Sequence, residues 1–155
     1  MAKKTKLVPG TFIRIPLSDG SFGYGRVLPH IHTAFYHFRT LEPCSDLDEI
    51  ASQPVLFRQV VRFFTHERWV DIGWQALEGE VNEPVVRFWQ DVGDYTKCVI
   101  YDSTGLEREV APAQCVGIER GAVWDPPNIE ERLLDAFLGR PNEEEIRARV
   151  RLRQD

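Results

Sequence analysis

The sequence predicts an α+β fold with a single twisted, mainly antiparallel β-sheet or partly open barrel of about six to seven strands. A short helix is expected after the third strand, and a C-terminal helix is expected to pack on the sheet. An Asp19-Gly20 pair between two apolar runs predicts a hairpin, and the Val- and Phe-rich run from Val55 to Phe64 is the strongest strand signal. Apolar residues recur at helical spacing over residues 129–138, which predicts the C-terminal helix.

Length and composition set the expected organisation. A chain of 155 residues with 43% hydrophobic residues can bury one core, which predicts a single domain over residues 1–155. Within it, residues 1–8 are interpreted as an N-terminal extension and residues 141–155 as a charged helix or tail. No apolar run is long enough to cross a bilayer, and Pro9-Gly10 interrupts the N-terminal stretch before it can form a secretory signal. We therefore expect a cytoplasmic protein without a membrane span.

The first hairpin, over residues 9–28, is expected to turn through a two-residue type I′ loop at Asp19-Gly20. This register pairs Ile15 with Tyr24. Tyr24 and the other residues in its row then lie on a thick apolar face, and Gly23 lies on a bare opposite face.

Arg26 falls in the same apolar row as Tyr24. Its stem would pack on the sheet while its guanidinium reaches a carboxylate or water, and anion binding is the functional alternative. Gly23 and Gly25 are expected to permit a bend in the strand. The glycine-rich run does not form a phosphate-binding loop, because a strand follows it rather than a helix.

The remaining elements follow from local pattern. Ser45 and Asp46 are capping residues that begin the short helix, and Trp69 is expected in the core. Trp124 anchors the entry to the C-terminal helix. The other predicted segments are strands over 31–38, 55–64, 85–90 and 97–102, a turn over 65–69, an extended piece over 72–74, and a hairpin arm over 106–110. Residues 143–155 alternate as a strand does, but their Glu–Arg spacing stabilises a helix, which we favour.

Charge is unevenly distributed along the chain. The formal net charge is −5, yet residues 1–39 carry +5, residues 40–109 carry −8 and residues 110–155 carry −2. An acidic middle segment suits a basic protein partner, such as a protein that cleaves nucleic acid, and it disfavours nucleic acid itself as the ligand.

Catalytic and cofactor motifs are absent from the sequence: there is no nucleophile elbow, zinc-protease motif, Walker loop or dinucleotide fingerprint. Cys44, Cys98 and Cys115 form no CxxC pair, and their odd number favours free thiols over a disulfide framework. His30 and His32 are spaced like metal ligands, with Cys44 beyond them, but a further spaced ligand is missing. We expect no enzyme activity, no cofactor and no metal.

Four segments together resemble the immunity protein 26 family of bacterial polymorphic-toxin systems. They are the stretch over residues 10–28 with its Asp-Gly and Gly-Tyr-Gly-Arg elements, the strand over 54–57, the pair Arg68-Trp69, and the stretch Gly-Ile-Glu-Arg-Gly-Ala-Val-Trp-Asp-Pro over 117–126. The resemblance spans most of residues 9–142 in order. Its structural signature residues are Asp19, Gly20, Gly23, Tyr24, Gly25, Arg26, Trp69 and Trp124.

The resemblance implies an antitoxin of bacterial competition, which neutralises its cognate toxin by stoichiometric binding in the cytoplasm of the cell that makes both. It supplies no catalytic residues to carry over. We expect the toxin to contact two acidic loops, because loops on a rigid scaffold carry recognition, although the same acids would also serve solubility alone. The candidate partner-binding residues are Glu78, Glu80, Glu83, Asp91, Asp94 and Tyr95.

Two other functions are compatible with the sequence. One is a non-catalytic small-ligand or peptide-binding module with an SH3-like or barrel-like sheet, in which the bare glycine face is the docking groove. The other is an enzyme of unrecognised type. A deep pocket with converging polar groups would favour either of them, and a shallow acidic surface would favour the inhibitor. The identity of the toxin and the oligomeric state stay open at this level.

Overall fold

The computed structural model describes residues 8–62 and 68–153. The protein folds as two compact units, the first formed by the chain up to Glu83 together with Val123–Asn142, and the second by Pro84–Ala122 together with the chain from Glu143 onward. The single-domain organisation stays a prediction. The end of the strand predicted to reach Phe64 and most of the turn predicted over 65–69 lie outside the described residues.

The described residues form nine strands and three α-helices, so the predicted α+β class is confirmed. In chain order the elements are β1 (Thr11–Pro16), β2 (Phe22–Val27), β3 (His32–Tyr36), α1 (Leu47–Ala51), β4 (Val55–Val61), β5 (Val70–Trp74), β6 (Val86–Gln90), β7 (Cys98–Asp102), β8 (Glu107–Val110), β9 (Val123–Trp124), α2 (Pro126–Phe137) and α3 (Glu143–Arg147). Short 3-10 turns cover Gly79–Asn82 and Pro112–Cys115.

The strands form two sheets rather than the single sheet of six to seven strands that the sequence predicts. The first unit holds a six-stranded sheet in the order β5-β1-β2-β3-β4-β9, and the second holds β6-β7-β8. Pairing is antiparallel throughout except between β4 and β9. The difference arises because β6, β7 and β8 are joined by short turns and form their ladders with one another. Neither sheet closes into a barrel within the part of the chain that the structure describes.

The first hairpin turns where the sequence predicts, but its loop has three residues, 18–20. The N–H of Leu17 donates to the Ser21 carbonyl at 2.8 Å, and that of Gly20 donates to the Leu17 carbonyl at 3.0 Å. Gly20 has a φ of +87° and Asp19 does not have a positive φ, which excludes the predicted type I′ turn. The Asp19 carboxylate accepts from the Ser21 N–H at 3.0 Å and pairs with Arg39 at 2.7 Å. Hydrogen bonds from Ser21, with help from Arg39, lower the pKa of Asp19 to about 2.

This change of loop length shifts the register by one residue and exchanges the two faces of the hairpin. Ile15 lies opposite Gly23, and Arg14 lies opposite Tyr24. Gly23 therefore shares the face of Ile15, whereas Tyr24 and Arg26 lie on the other face. The predicted assignment of these residues to faces is wrong.

Both faces of the first sheet are covered, so the bare glycine face does not exist as a docking groove. A Cβ added to Gly23 would lie 3.2 Å from Leu133 Cδ1 on α2, which shows how closely that helix packs on the glycine face. Gly25 is packed against Phe35 in the same way. The core on this side also contains Trp69 and Trp124, both buried.

The opposite face of the first sheet packs beneath α1. Its core consists of Phe12, Tyr24, Tyr36 and Ile50, all fully buried. The Tyr24 hydroxyl is 2.6 Å from the hydroxyl of Thr40 and accepts from the backbone N–H of Cys44 at 2.8 Å. Tyr24 thereby fixes the chain that leads from β3 to α1.

Several boundaries differ from the predicted ones for local reasons. The strand predicted from Ile31 begins at His32, because His30 and Ile31 adopt positive φ values near 60° and form a tight turn. The C-terminal helix begins at Pro126, three residues early, because prolines are tolerated in the first helical turn, where the N–H has no helical acceptor. In the tail, α3 ends at Arg147, which lies 3.4 Å from Glu143 one turn earlier.

Candidate functional site

The acidic loop, defined as residues 75–83, follows β5 in the first unit and carries Glu78, Glu80 and Glu83. Its backbone turns through the 3-10 segment Gly79–Asn82, in which Gly79 has a φ of +67°. All three glutamates are exposed. Like-charged side chains placed this close together on a surface create a local negative potential.

Two arginines of the sheet hold the backbone of the acidic loop. Arg26 Nη2 donates to the carbonyls of Gln75 at 3.1 Å and of Ala76 at 3.0 Å, at the start of the loop. Arg58 donates to the carbonyls of Glu80 at 3.3 Å and of Glu83 at 3.2 Å, at its end. Because guanidinium groups bind these four carbonyls, the loop is fixed to the sheet through its main chain and its side chains stay outside.

None of the three glutamate carboxylates has a hydrogen bond or ion pair with any residue that the structure describes. Their negative charge is therefore not neutralised by any side chain in the described part of the chain. A basic partner could pair with Glu78, Glu80 and Glu83 without first breaking an internal contact.

The second group of candidates lies on the acidic turn, residues 91–95, which joins β6 to β7 in the second unit. Here the carboxylates stabilise their own turn. Asp91 accepts from the N–H of Gly93 at 2.9 Å and of Asp94 at 2.7 Å. Asp94 accepts from the Thr96 hydroxyl at 2.6 Å and from its N–H at 3.0 Å, and these hydrogen bonds lower the pKa of Asp94. Tyr95 is half-buried, and its carbonyl accepts from Gln90.

The six predicted residues therefore fall into two groups, three in each compact unit, with different local roles. The carboxylates of the acidic loop have no partner within residues 8–62 and 68–153, whereas the aspartates of the acidic turn accept hydrogen bonds from their own backbone. The lowered pKa of Asp94 favours its ionised form, so the acidic turn keeps negative charge at this position.

Sequence reasoning missed one aromatic residue beside each group. Trp74 ends β5 just before the acidic loop and is 57% exposed, with its indole Nε1 fixed to the Pro9 carbonyl at 2.8 Å. Trp89 precedes the acidic turn by two residues and is 49% exposed. Tryptophan is enriched among the residues that dominate binding energy at protein interfaces. In each case the available signal was a Trp close to a group of acidic residues.

Across residues 8–62 and 68–153, no three His, Cys, Asp or Glu side chains come together as a group that could hold a metal ion. None of the helices in those same ranges is both long enough and apolar enough to span a bilayer.

Loops held on a rigid sheet are where binding residues commonly lie. The model of the family described as immunity protein 26 matches residues 8–99, which is more than half of the chain. This chain therefore belongs to the immunity protein 26 family, and membership supports an immunity, or antitoxin, role. Among the curated proteins and among the solved structures, none matches the chain. The family match includes β1 to β6, the acidic loop and the acidic turn.

Proposed function

We propose that this protein neutralises one cognate bacterial toxin by direct stoichiometric binding, without catalysis, in the cytoplasm of the cell that makes the toxin. The family membership supports the antitoxin role. The observation that supports the binding surface is the acidic loop, because its main chain is anchored by Arg26 and Arg58 while its three carboxylates have no partner among the described residues. A pre-ordered loop loses little conformational entropy when a partner binds.

The proposal includes both groups of candidate residues, each on its own unit and each with a different contribution to binding. Glu78, Glu80 and Glu83 form ion pairs with the toxin, and Trp74 supplies apolar contact area next to them. Asp91, Asp94 and Tyr95 contribute negative potential that accelerates association with a basic partner, such as a nuclease domain.

The test is rescue of growth from the cognate toxin in co-expressing bacteria. The wild-type protein should restore growth, and the triple variant E78K/E80K/E83K should rescue less well, because it replaces three attractive contacts with repulsive ones. The matched control is E42K/E107K/E109K, which changes the net charge equally at exposed sites outside the acidic loop.

Equal rescue by both triple variants would exclude the acidic loop as the contact surface while leaving the antitoxin role intact. Absence of rescue by the wild-type protein, at verified expression of both partners, would contradict the role itself.

A further inference from the structure

The turn between β2 and β3 holds an isoleucine in an unfavourable backbone conformation. His30 and Ile31 have φ values of +60° and +61°. Glycine adopts this left-handed region freely, and Asn, Asp and His adopt it more readily than other residues, whereas a β-branched side chain there lies too close to its own backbone. The seven further positive-φ positions in the described part of the chain are all glycines. Ile31 therefore departs from the residue type that this chain otherwise uses in such conformations.

Packing of the Ile31 side chain offsets little of this strain. Ile31 is 64% exposed and belongs to none of the apolar clusters formed by the described residues. The turn is closed by the main chain, because the N–H of Leu28 donates to the His32 carbonyl at 2.8 Å. Glycine or asparagine at position 31 would therefore close the same turn with less strain. Strained residues of this kind cluster at functional sites.

The turn lies at the end of the first sheet where the acidic loop begins. Thr11 of β1 pairs with Trp74, the last residue of β5. The N–H of Gly10 donates to the carbonyl of Val27, the last residue of β2, at 2.8 Å. Trp74 and the turn after β2 are therefore two strand spacings apart, which is roughly 10 Å across the sheet. Arg26, next to Val27, binds the first two carbonyls of the acidic loop.

This end of the sheet thus combines exposed apolar side chains with uncompensated negative charge. Ile31 and Trp74 are both more than half exposed. The carboxylates of Glu78, Glu80 and Glu83 are exposed and have no partner among the described residues. Protein interfaces commonly consist of a few apolar anchors inside a polar rim, and negative rim charges favour a positively charged partner surface.

We propose that Ile31 is an apolar anchor of the toxin-binding surface, held in its strained turn so that it enters an apolar pocket of the toxin bordered by Lys or Arg. The inference rests on the proposed function and adds to it the shape of the partner surface. Burial of an exposed isoleucine in such a pocket is favourable because it removes apolar area from water. A turn that is already closed in the free protein loses little conformational entropy on binding.

The experiment measures stability and toxin affinity on the same full-length variants, because the proposal predicts that the two change in opposite directions. The toxin is the one from which the wild-type protein rescues growth. Ile31→Gly and Ile31→Asn remove the apolar side chain and suit the positive φ. Leu41→Asn is the matched control, since Leu41 is 73% exposed in the same unit and has no positive φ. Its neighbour Thr40 pairs with Phe22, at the opposite end of β2 from the turn.

Ile31→Gly and Ile31→Asn should each raise Tm by about 2–4 °C and weaken toxin binding about tenfold. Leu41→Asn should leave both quantities close to their wild-type values. A rise in Tm with unchanged toxin affinity would overturn the proposal, and so would an equal loss of affinity in Leu41→Asn. A fall in Tm would also overturn it, because Ile31 would then serve the fold. Absence of toxin binding by the wild-type protein would instead contradict the proposed function, and this inference with it.

Discussion

Replacement of Gly23 by alanine tests the corrected hairpin register, on which the positions of Arg26 and Tyr24 depend. In the structure the new Cβ points at α2 and lies 3.2 Å from Leu133 Cδ1 and 3.7 Å from Phe137. The first distance is a few tenths of an ångström too short, and Leu133 is fully buried and cannot move freely. In the register with a two-residue loop, the same methyl group would point to the other face.

The two registers predict effects of opposite sign. Overpacking a well-packed core costs about 1–3 kcal/mol, and removing the flexibility of a glycine returns about 0.5–1 kcal/mol. Gly23→Ala should therefore lower the free energy of unfolding by about 1 kcal/mol, which is about 2–4 °C in Tm for a chain of this size. The assay is urea denaturation followed by tryptophan fluorescence, with the slope of the transition checked for constancy.

Two further variants make the assay specific. Gly93→Ala is the control, because its added Cβ meets only Asp91 Oδ2 at an ordinary 3.5 Å and no positive φ is required there. The double variant G23A/L133A should be less destabilised than the sum of the two single variants, because the smaller side chain on α2 makes room for the methyl group. A stabilising Gly23→Ala, or strict additivity with Leu133→Ala, would refute the register.

Three other predictions follow from the contacts. Glu130→Ala removes the carboxylate that accepts a hydrogen bond from the buried Trp69 indole N–H at 3.2 Å. The free energy of unfolding in urea should fall by about 1–3 kcal/mol. An unchanged denaturation midpoint would contradict this prediction. Because the pKa of Asp19 is lowered to about 2, its stabilisation is complete above pH 4 and is lost toward pH 2, and Asp19→Asn should flatten stability curves across that range. Burial, together with the neighbouring Cys98, raises the pKa of Cys115 to about 11. Alkylation of this thiol should therefore stay slow at pH 8, and the free energy of unfolding should fall as the pH rises from 9 to 11. A Cys115→Ala variant with the same alkaline loss of stability would count against this.

The sequence predicts the elements of this fold better than their arrangement. Asp19-Gly20 locates the first turn, but two- and three-residue loops differ only in whether Ser18 belongs to the loop, and its polarity fits both. The alternation of side chains along β1 could not decide between the two loop lengths, because both faces of the sheet are buried and Phe12 is as apolar as Ile13. The split into two sheets depends on which strands pair with each other. The residue pattern within one strand carries no information about its partner strand.

The candidate site divides in the same way. The exposure of Glu78, Glu80 and Glu83 follows from their polar, glycine-containing loop and was predictable. The internal use of the Asp94 carboxylate had a local signal, since Asp and Thr two residues apart commonly form such a turn. The approach of Arg26 to Tyr36 and to the acidic loop arises only from the pairing of β2 with β3 and the return of the chain after β5. No local pattern encodes it.

Stoichiometric inhibition is the central claim, and a titration of toxin activity with purified antitoxin tests it most directly. At toxin concentrations well above the dissociation constant, residual activity should fall linearly and reach zero at a fixed molar ratio, independent of incubation time. With E78K/E80K/E83K the curve should become shallow and shift to higher ratios, because affinity is lower. Progressive loss of toxin activity at substoichiometric antitoxin would instead indicate catalytic inactivation, and undiminished activity at excess antitoxin would contradict direct neutralisation.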